Sequence, residues 1–277
     1  MRDRRALLAA PLAGYLVLFL AYPTAFAVKL AFTDTVAGRF PSLASFRVLA
    51  TDPLFRRALV GNVVLPVCTV ALELATGLAM ALLLAARLLA RRLLRAIVVL
   101  PFALPEIVFL AIMRWVFTSR GYANAALAEL GLAPVDWLVP GRPLTYAVVV
   151  AVDAWHTTPI VFLMLLAALA AIPDEIGEAA RLDGAGPVQR LVHVTLPLLR
   201  PALAGALLLR GVDALRIFAT PLVLAGVEGA PVLSTYAYHQ WSDYGNDGAA
   251  AAAGVVLAVA TVALSLPLLR RRAEAVR

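Results

Sequence analysis

Residues 144–171 read LTYAVVVAVDAWHTTPIVFLMLLAALAA, an apolar run in which Asp153 carries the one acidic or basic charge. About 20 apolar residues at about 1.5 Å each cross about 30 Å of hydrocarbon, so this run can span a bilayer as a helix. Five more runs of that kind extend from Leu7 to Leu30, Leu59 to Ala86, Leu94 to Phe117, Leu198 to Leu224 and Ala249 to Leu269. The expected fold class is therefore all-α: a polytopic membrane protein with six transmembrane helices, residues 1–277 forming a single transmembrane domain. Composition agrees, since 62% of the residues are hydrophobic, against roughly 45–50% in soluble domains. Prolines 23, 66, 105, 159 and 221 fall within or near the ends of the runs, which predicts kinked, cavity-lining helices whose freed carbonyls find partners on neighbours.

A formal net charge of +7 raises nucleic acid as a partner, but that reading needs basic residues gathered on one solvated face. Here they sit in short clusters between apolar runs, so no nucleic acid is expected. Cys68 is the sole cysteine and lies inside an apolar run, which excludes a disulfide framework and a thiolate metal cluster. His156, His193 and His239 lie on three different segments without an H-E-x-x-H pattern, so no metal site is expected.

Arginine asymmetry sets the orientation. One set of loops holds Arg2, Arg4, Arg5, Arg87, Arg91, Arg92, Arg95, Arg181, Arg190, Arg200, Arg270, Arg271, Arg272 and Arg277. The opposite set holds half as many: Arg39, Arg47, Arg56, Arg57, Arg114, Arg120 and Arg142. Both termini are thus expected in the cytoplasm. The alternative for the first run is a cleaved signal peptide ending near Ala25-Phe26-Ala27; the run is long for that, and removal would leave five spans.

Between the fourth and fifth runs, on the cytoplasmic side, residues 172–187 read IPDEIGEAARLDGAGP. Asp174 and Glu175 suit the positive end of a helix dipole and Arg181 the negative end. Gly184 can take the left-handed conformation that stops a helix, and Gly186-Pro187 can start the next. The pattern predicts a short surface helix with a defined break, its small residues allowing close approach and Glu178 and Asp183 offering carboxylates to a partner.

Glu178-Ala179-Ala180, then Asp183-Gly184-Ala185 and later Leu196-Pro197, resemble the E-A-A loop of binding-protein-dependent ABC importer permeases. The resemblance covers nearly the whole chain and points to the carbohydrate-uptake branch, the maltose and glycerol-phosphate permease type. Supporting segments are Tyr22-Pro23 leading to Phe32-Thr33-Asp34, Trp115-Val116-Phe117 with Gly121, Asn124 and Gly131, and Trp155 to Pro159. Gly229-Ala230-Pro231 resembles an external gate loop of the same branch. The resemblance implies that loop 172–197 is a cytoplasmic coupling segment in which Glu178, Ala179, Ala180, Asp183 and Gly184 contact an ATPase. It implies as partners a second permease subunit forming a heterodimer, two copies of an ABC ATPase, an extracytoplasmic solute-binding protein and membrane lipid. It implies a multi-pass protein of a bacterial plasma membrane. No cofactor is expected on this chain, because its only lysine, Lys29, is followed by Leu30 and cannot complete a P-loop; ATP and Mg belong to the partner ATPase.

Glu73, Glu106, Asp153 and Asp213 are carboxylates within spans, where isolated charge is expensive and defaults to a functional hypothesis. Counting along straight helices puts Glu73, Glu106 and Asp213 near mid-depth and Asp153 closer to the outside. Asp213 can pair with Arg210 or Arg216 one turn away; alternatively Glu106 and Asp213, with Asp153 and Trp155, line a translocation path and bond sugar hydroxyls. Two further readings are a permease for amino acids, polyamines or phosphate, and an integral-membrane enzyme using Glu106 and Asp213 as an acid–base pair, although no nucleophile or metal motif accompanies them. A passive channel has no need of a coupling loop.

Overall fold

The computed structural model describes residues 11, 14–85 and 91–275. Arg2, Arg4, Arg5, Arg87 and Arg277, used above for orientation, lie outside the described residues. Twelve helices are introduced here in chain order: α1 (Gly14–Ala31), α2 (Ala44–Thr51), α3 (Pro53–Ala85), α4 (Arg91–Ala103), α5 (Glu106–Val116), α6 (Tyr122–Glu129), α7 (Pro143–Ala170), α8 (Asp174–Leu182), α9 (Pro187–Ala214), α10 (Ala219–Gly229), α11 (Leu233–Ser242) and α12 (Asp247–Ala275). Among the described residues, five helices are long and apolar enough to cross a membrane: α1, α3, α7, α9 and residues 247–266 of α12. A sixth crossing exists if the bent pair α4–α5 counts as one.

The frame is the α3–α7 pair, the most extensive helix contact among the described residues. At 33 residues, α3 is about 50 Å long at about 1.5 Å per residue, more than a hydrocarbon layer requires. The two helices approach closely because Gly77 faces Val161: a Cβ on Gly77 would come to 2.8 Å from Val161 Cγ1. Below that crossing Ala81, Leu84, Val161, Phe162, Leu165 and Ala206 close one core, which joins α3 and α7 to α9. A second core, with Leu65, Phe109, Leu110, Val149 and Leu224, joins α3, α5, α7 and α10. A third packs α12 alanines 249, 252 and 253 against Ala31, Leu49, Phe55 and Tyr236.

Two of the expected spans take a different course. The run from Leu94 to Phe117 is broken between Ala103 and Glu106, and its two halves lie 95° apart. Pro105 supplies the reason, having no N–H to donate and disfavouring helical conformation at Leu104. The expected fifth span, Leu198 to Leu224, is instead a helix that starts at Pro187 and stops at Ala214. After a short break the chain resumes as α10, kinks at Gly226 (φ +71°), and turns into α11.

That break is held by side chains rather than by helix continuity. Asn62 of α3 donates from Nδ2 to the Leu215 carbonyl (3.2 Å) and accepts from the Leu233 N–H (3.2 Å). Ser234 donates to the Ile217 carbonyl. Gly61 lets the backbone of Pro231 come so near that a Cβ would sit 2.0 Å from its carbonyl oxygen. The segment expected as an external turn is thus buried from Gly229 to Leu233, and two carbonyls at its start have partners: Arg57 Nη2 donates to the Glu228 carbonyl (2.7 Å) and the Gly141 N–H to that of Gly229 (3.1 Å).

A small cap follows α5. Asn124 of α6 donates to the carbonyls of Ser119 and Val135, and its Oδ1 accepts from the Val135 N–H and from Trp137 Nε1. Gly121 leads into α6 where a Cβ would meet the carbonyl oxygens of Trp115 and Val116 at 2.2 and 2.3 Å.

Candidate functional site

An arginine inside an apolar helix requires a partner, and α3 supplies it. Glu73 Oε2 and Oε1 accept from Arg210 Nε (2.8 Å) and Nη2 (2.9 Å), a two-toothed ion pair with both side chains buried. The third face of the guanidinium is taken by Asp213, one turn along α9. Thr157 of α7 donates to Glu73 Oε1 (2.6 Å), so the carboxylate also ties the central helix pair. Both local pairings expected for Asp213 are present, Arg216 Nη2 standing 3.8 Å from Asp213 Oδ1. The long-range partner, Glu73, is the residue that spacing did not reveal; its signal was that an intraspan arginine with one local acid still has free donors.

Beside this pair lies a polar cleft of about 260 Å³ whose lining includes Glu106, Asp153, Thr157, Arg210, Asp213, Arg216 and Phe218. Glu106 enters it because the bend at Pro105 makes it the first residue of α5. Asp153 is buried and accepts from Thr220 Oγ1 of α10 (2.6 Å). The helix break after Ala214 opens the remaining wall, carrying Arg216, Ile217 and Phe218. Depth counting on straight helices put Asp153 at a different level from Glu106 and Asp213; the three share one cleft, because α5 and α9 are both interrupted there. Trp155 is not part of it. That side chain is exposed and lines a separate apolar groove between α3, α4 and α7, with Leu72, Met80, Ile97 and Pro101. His156 packs between Phe102 and Phe109, with ring centroids 6.0 and 4.8 Å away.

Asp213 and Arg216 are 56% and 62% exposed on this chain. Charged groups of that exposure on an otherwise apolar helix face water or another protein, not lipid tails.

At the other end of α9 the chain builds a projecting helix–turn–helix. The α8 helix begins with Asp174 and Glu175 in its first turn and ends with Arg181 in its last, complementing its dipole. It stops in a Schellman arrangement: Gly184 at φ +80°, its N–H on the Arg181 carbonyl (3.0 Å) and the Ala185 N–H on that of Ala180 (3.0 Å). The Gly186 N–H is then taken by Gln189 Oε1 (2.9 Å) at the start of α9. Glu178, Ala179, Asp183 and Gly184 are exposed and Ala180 is half-buried. Leu182 is 90% exposed beside them, an apolar side chain left in solvent by this chain alone.

Residues 74–274 match the family model described as the binding-protein-dependent transport system inner membrane component. The chain belongs to that family. It is 40% identical over 187 residues to the trehalose/maltose transport system permease protein MalF of Thermococcus litoralis, covering 64% of this chain and 62% of that relative's length. It is 32% identical over 235 residues to the sulfoquinovosyl glycerol transport system permease protein SmoG of Agrobacterium fabrum, covering 83% of this chain and 75% of the relative. Its fold is that of a chain in the crystal structure of a bacterial ABC transporter involved in import of the acidic polysaccharide alginate, with a TM-score of 0.87 at 24% identity over 98% of this chain and 96% of that one.

As a member of the binding-protein-dependent permease family the chain is an inner-membrane, multi-pass transport component and not an enzyme. Glu106 and Asp213 both reach one cleft, and family membership does not favour the reading of them as an enzyme's acid–base pair. The matched region contains the Glu73-to-Arg210 neighbourhood only in part, since it starts one residue after Glu73.

Proposed function

We propose that this chain is one of two permease subunits of an ATP-driven importer for a sugar or a related polyol or glycoside, with both termini in the cytoplasm. The observation that carries the reading is the interrupted, charged cleft: a membrane helix that exposes Asp213 at its end and Arg216 in the break after it needs an aqueous path or a subunit to face. Carboxylate and guanidinium groups accept from and donate to sugar hydroxyls, and Phe218 at the wall offers a flat apolar face to a pyranose ring. The relatives' names supply the carbohydrate class in place of amino acids, polyamines or phosphate.

Energy enters at the projecting segment. In this reading Glu178, Ala179, Ala180, Asp183 and Gly184 seat the α8 turn, with Leu182, in a cleft of a separate ABC ATPase that binds ATP and Mg. Because the second helix of that segment is α9 itself, which runs from Pro187 to Ala214, a push on the turn reaches Arg210 and Asp213 along one helix. Two ATPase copies, a second permease and an extracytoplasmic solute-binding protein complete the assembly.

The test is ATPase activity of the complex reconstituted in liposomes, with co-purification of the ATPase as companion readout, comparing wild type with Glu178→Arg and Gly184→Asp. Loss of ATPase retention or of binding-protein-stimulated hydrolysis, with the membrane domain still monodisperse, is the expected result. Unchanged association and hydrolysis in both variants removes the coupling role.

A further inference from the structure

The cleft is not only polar but unbalanced in charge, and this bears on which solutes it can pass. Glu73, Glu106, Asp153 and Asp213 stand in or against it, facing Arg210 and Arg216. The balance is not uniform across the wall. Arg210 is consumed by Glu73 and Asp213 and is buried, so its charge is neutralised within the protein. Arg216 stands at 3.8 Å from Asp213 and offsets what remains of that group. Asp153 and Glu106 have no cationic partner among the described residues. Asp153 is only 6% exposed, takes one hydrogen bond from Thr220 on Oδ1, and has Oδ2 without a hydrogen bond among the described residues. Glu106 is exposed and lines the cavity, so its charge faces whatever enters, and Asp153 stands on the same wall.

We infer that the cleft admits polyhydroxylated solutes that are uncharged or bear an amine, and rejects those bearing a carboxylate, sulfonate or phosphate. The inference rests on the translocation reading above and adds to it a sign of charge. A cleft lined by an excess of one sign raises the local concentration of the opposite sign by about tenfold or more and lowers that of like sign correspondingly. The relatives do not decide the matter, since a neutral disaccharide and a sulfonated glycoside both occur in their names.

The experiment reads the cleft's field directly, without turnover. In the full importer complex in proteoliposomes, with Cys68→Ala as background, Ala219→Cys places a thiol on the cleft wall, and Phe218→Cys is the second position if the first is poorly folded. Modification rates are measured with a cationic trimethylammonium methanethiosulfonate and an anionic sulfonate methanethiosulfonate, and their ratio is divided by the ratio for a small thiol in solution. The normalised cation-to-anion ratio is expected at about ten or above, falling several-fold toward unity in Glu106→Gln with Asp153→Asn. A ratio near unity before neutralisation, a raised ratio that neutralisation leaves unchanged, or no modification by either reagent at both positions overturns the inference. So does efficient ATP-driven uptake of a uronate or sulfonate sugar by the wild-type complex. Failure of the transport reading shows separately, as ATPase activity and retention indifferent to the coupling-loop variants.

Discussion

Arg210 brings a guanidinium into an apolar helix, in its last turns, and what makes this tolerable is the number of donors that are satisfied. Two go to Glu73 on another helix, one to Asp213 on its own, and Thr157 completes the Glu73 carboxylate. A buried pair of this kind adds little net stability over apolar residues of the same shape, whereas removing one partner strands the other charge. Arg210→Met is therefore expected to destabilise the membrane domain by roughly 3–5 kcal/mol, lowering its thermal midpoint in detergent. Glu73→Gln combined with Arg210→Met is expected to recover a large part of that loss, read as positive coupling in a double-mutant cycle. Equal losses in the single and double variants would mean that the pair is not the source of the effect. Local spacing made the Arg210–Asp213 contact legible. The Glu73 contact, 137 residues away in sequence, depends on how α3 and α9 rotate about their axes, which no short-range pattern specifies.

At the scale of elements, hydropathy found the apolar runs but not where helices stop inside them. Average hydrophobicity over residues 198–224 does not register that Asn62 and Ser234 accept the task of satisfying the backbone between α9 and α11. Nor does it register that α9 begins in the polar loop, at Pro187. Helix stops written in local chemistry were readable: Pro105 breaks α4 from α5, and Gly184 ends α8 with the left-handed φ that only glycine adopts freely. Asn62→Leu keeps the approximate size but leaves the Leu215 carbonyl and the Leu233 N–H without that partner. Each buried orphan costs about 1–3 kcal/mol, so a loss of roughly 2–6 kcal/mol and faster amide exchange at residues 215–218 and 233 are expected. Wild-type exchange at these amides in the variant would show that other groups hold the break. Gly121→Ala meets two carbonyl oxygens in fixed backbone and is expected to loosen the cap around Asn124. The readout is increased proteolysis between residues 118 and 142, with the thermal midpoint of the remaining domain changed far less.

On the scale of the whole molecule, the chain leaves most of its span surface uncovered. Only 6% of the apolar window of α1 is buried against the rest of the chain, so this helix meets lipid or another subunit. The fold class was legible because burial in lipid imposes one simple rule on composition, long apolar runs with their backbone satisfied internally. The number of crossings was less so, because the α4–α5 pair is long enough in sum to span yet bent by 95°. Crossing parity can be measured. Val36 lies before α3, Leu130 after the bent pair and Leu182 after α7, and they are 97%, 74% and 90% exposed. If α3 and the bent pair each cross once, residues 36 and 130 are on one side, and the single crossing of α7 puts residue 182 on the other. Arginine asymmetry assigns residue 182 to the cytoplasm. With Cys68→Ala as background, a membrane-impermeant maleimide added to intact cells is expected to label Val36→Cys and Leu130→Cys at once, and Leu182→Cys only after lysis. Labelling of Leu130→Cys but not Val36→Cys would make the bent pair a re-entrant loop and leave five crossings, with the termini on opposite sides. Labelling of Leu182→Cys alone would reverse the orientation, putting the α8 turn where no cytoplasmic ATPase can reach it.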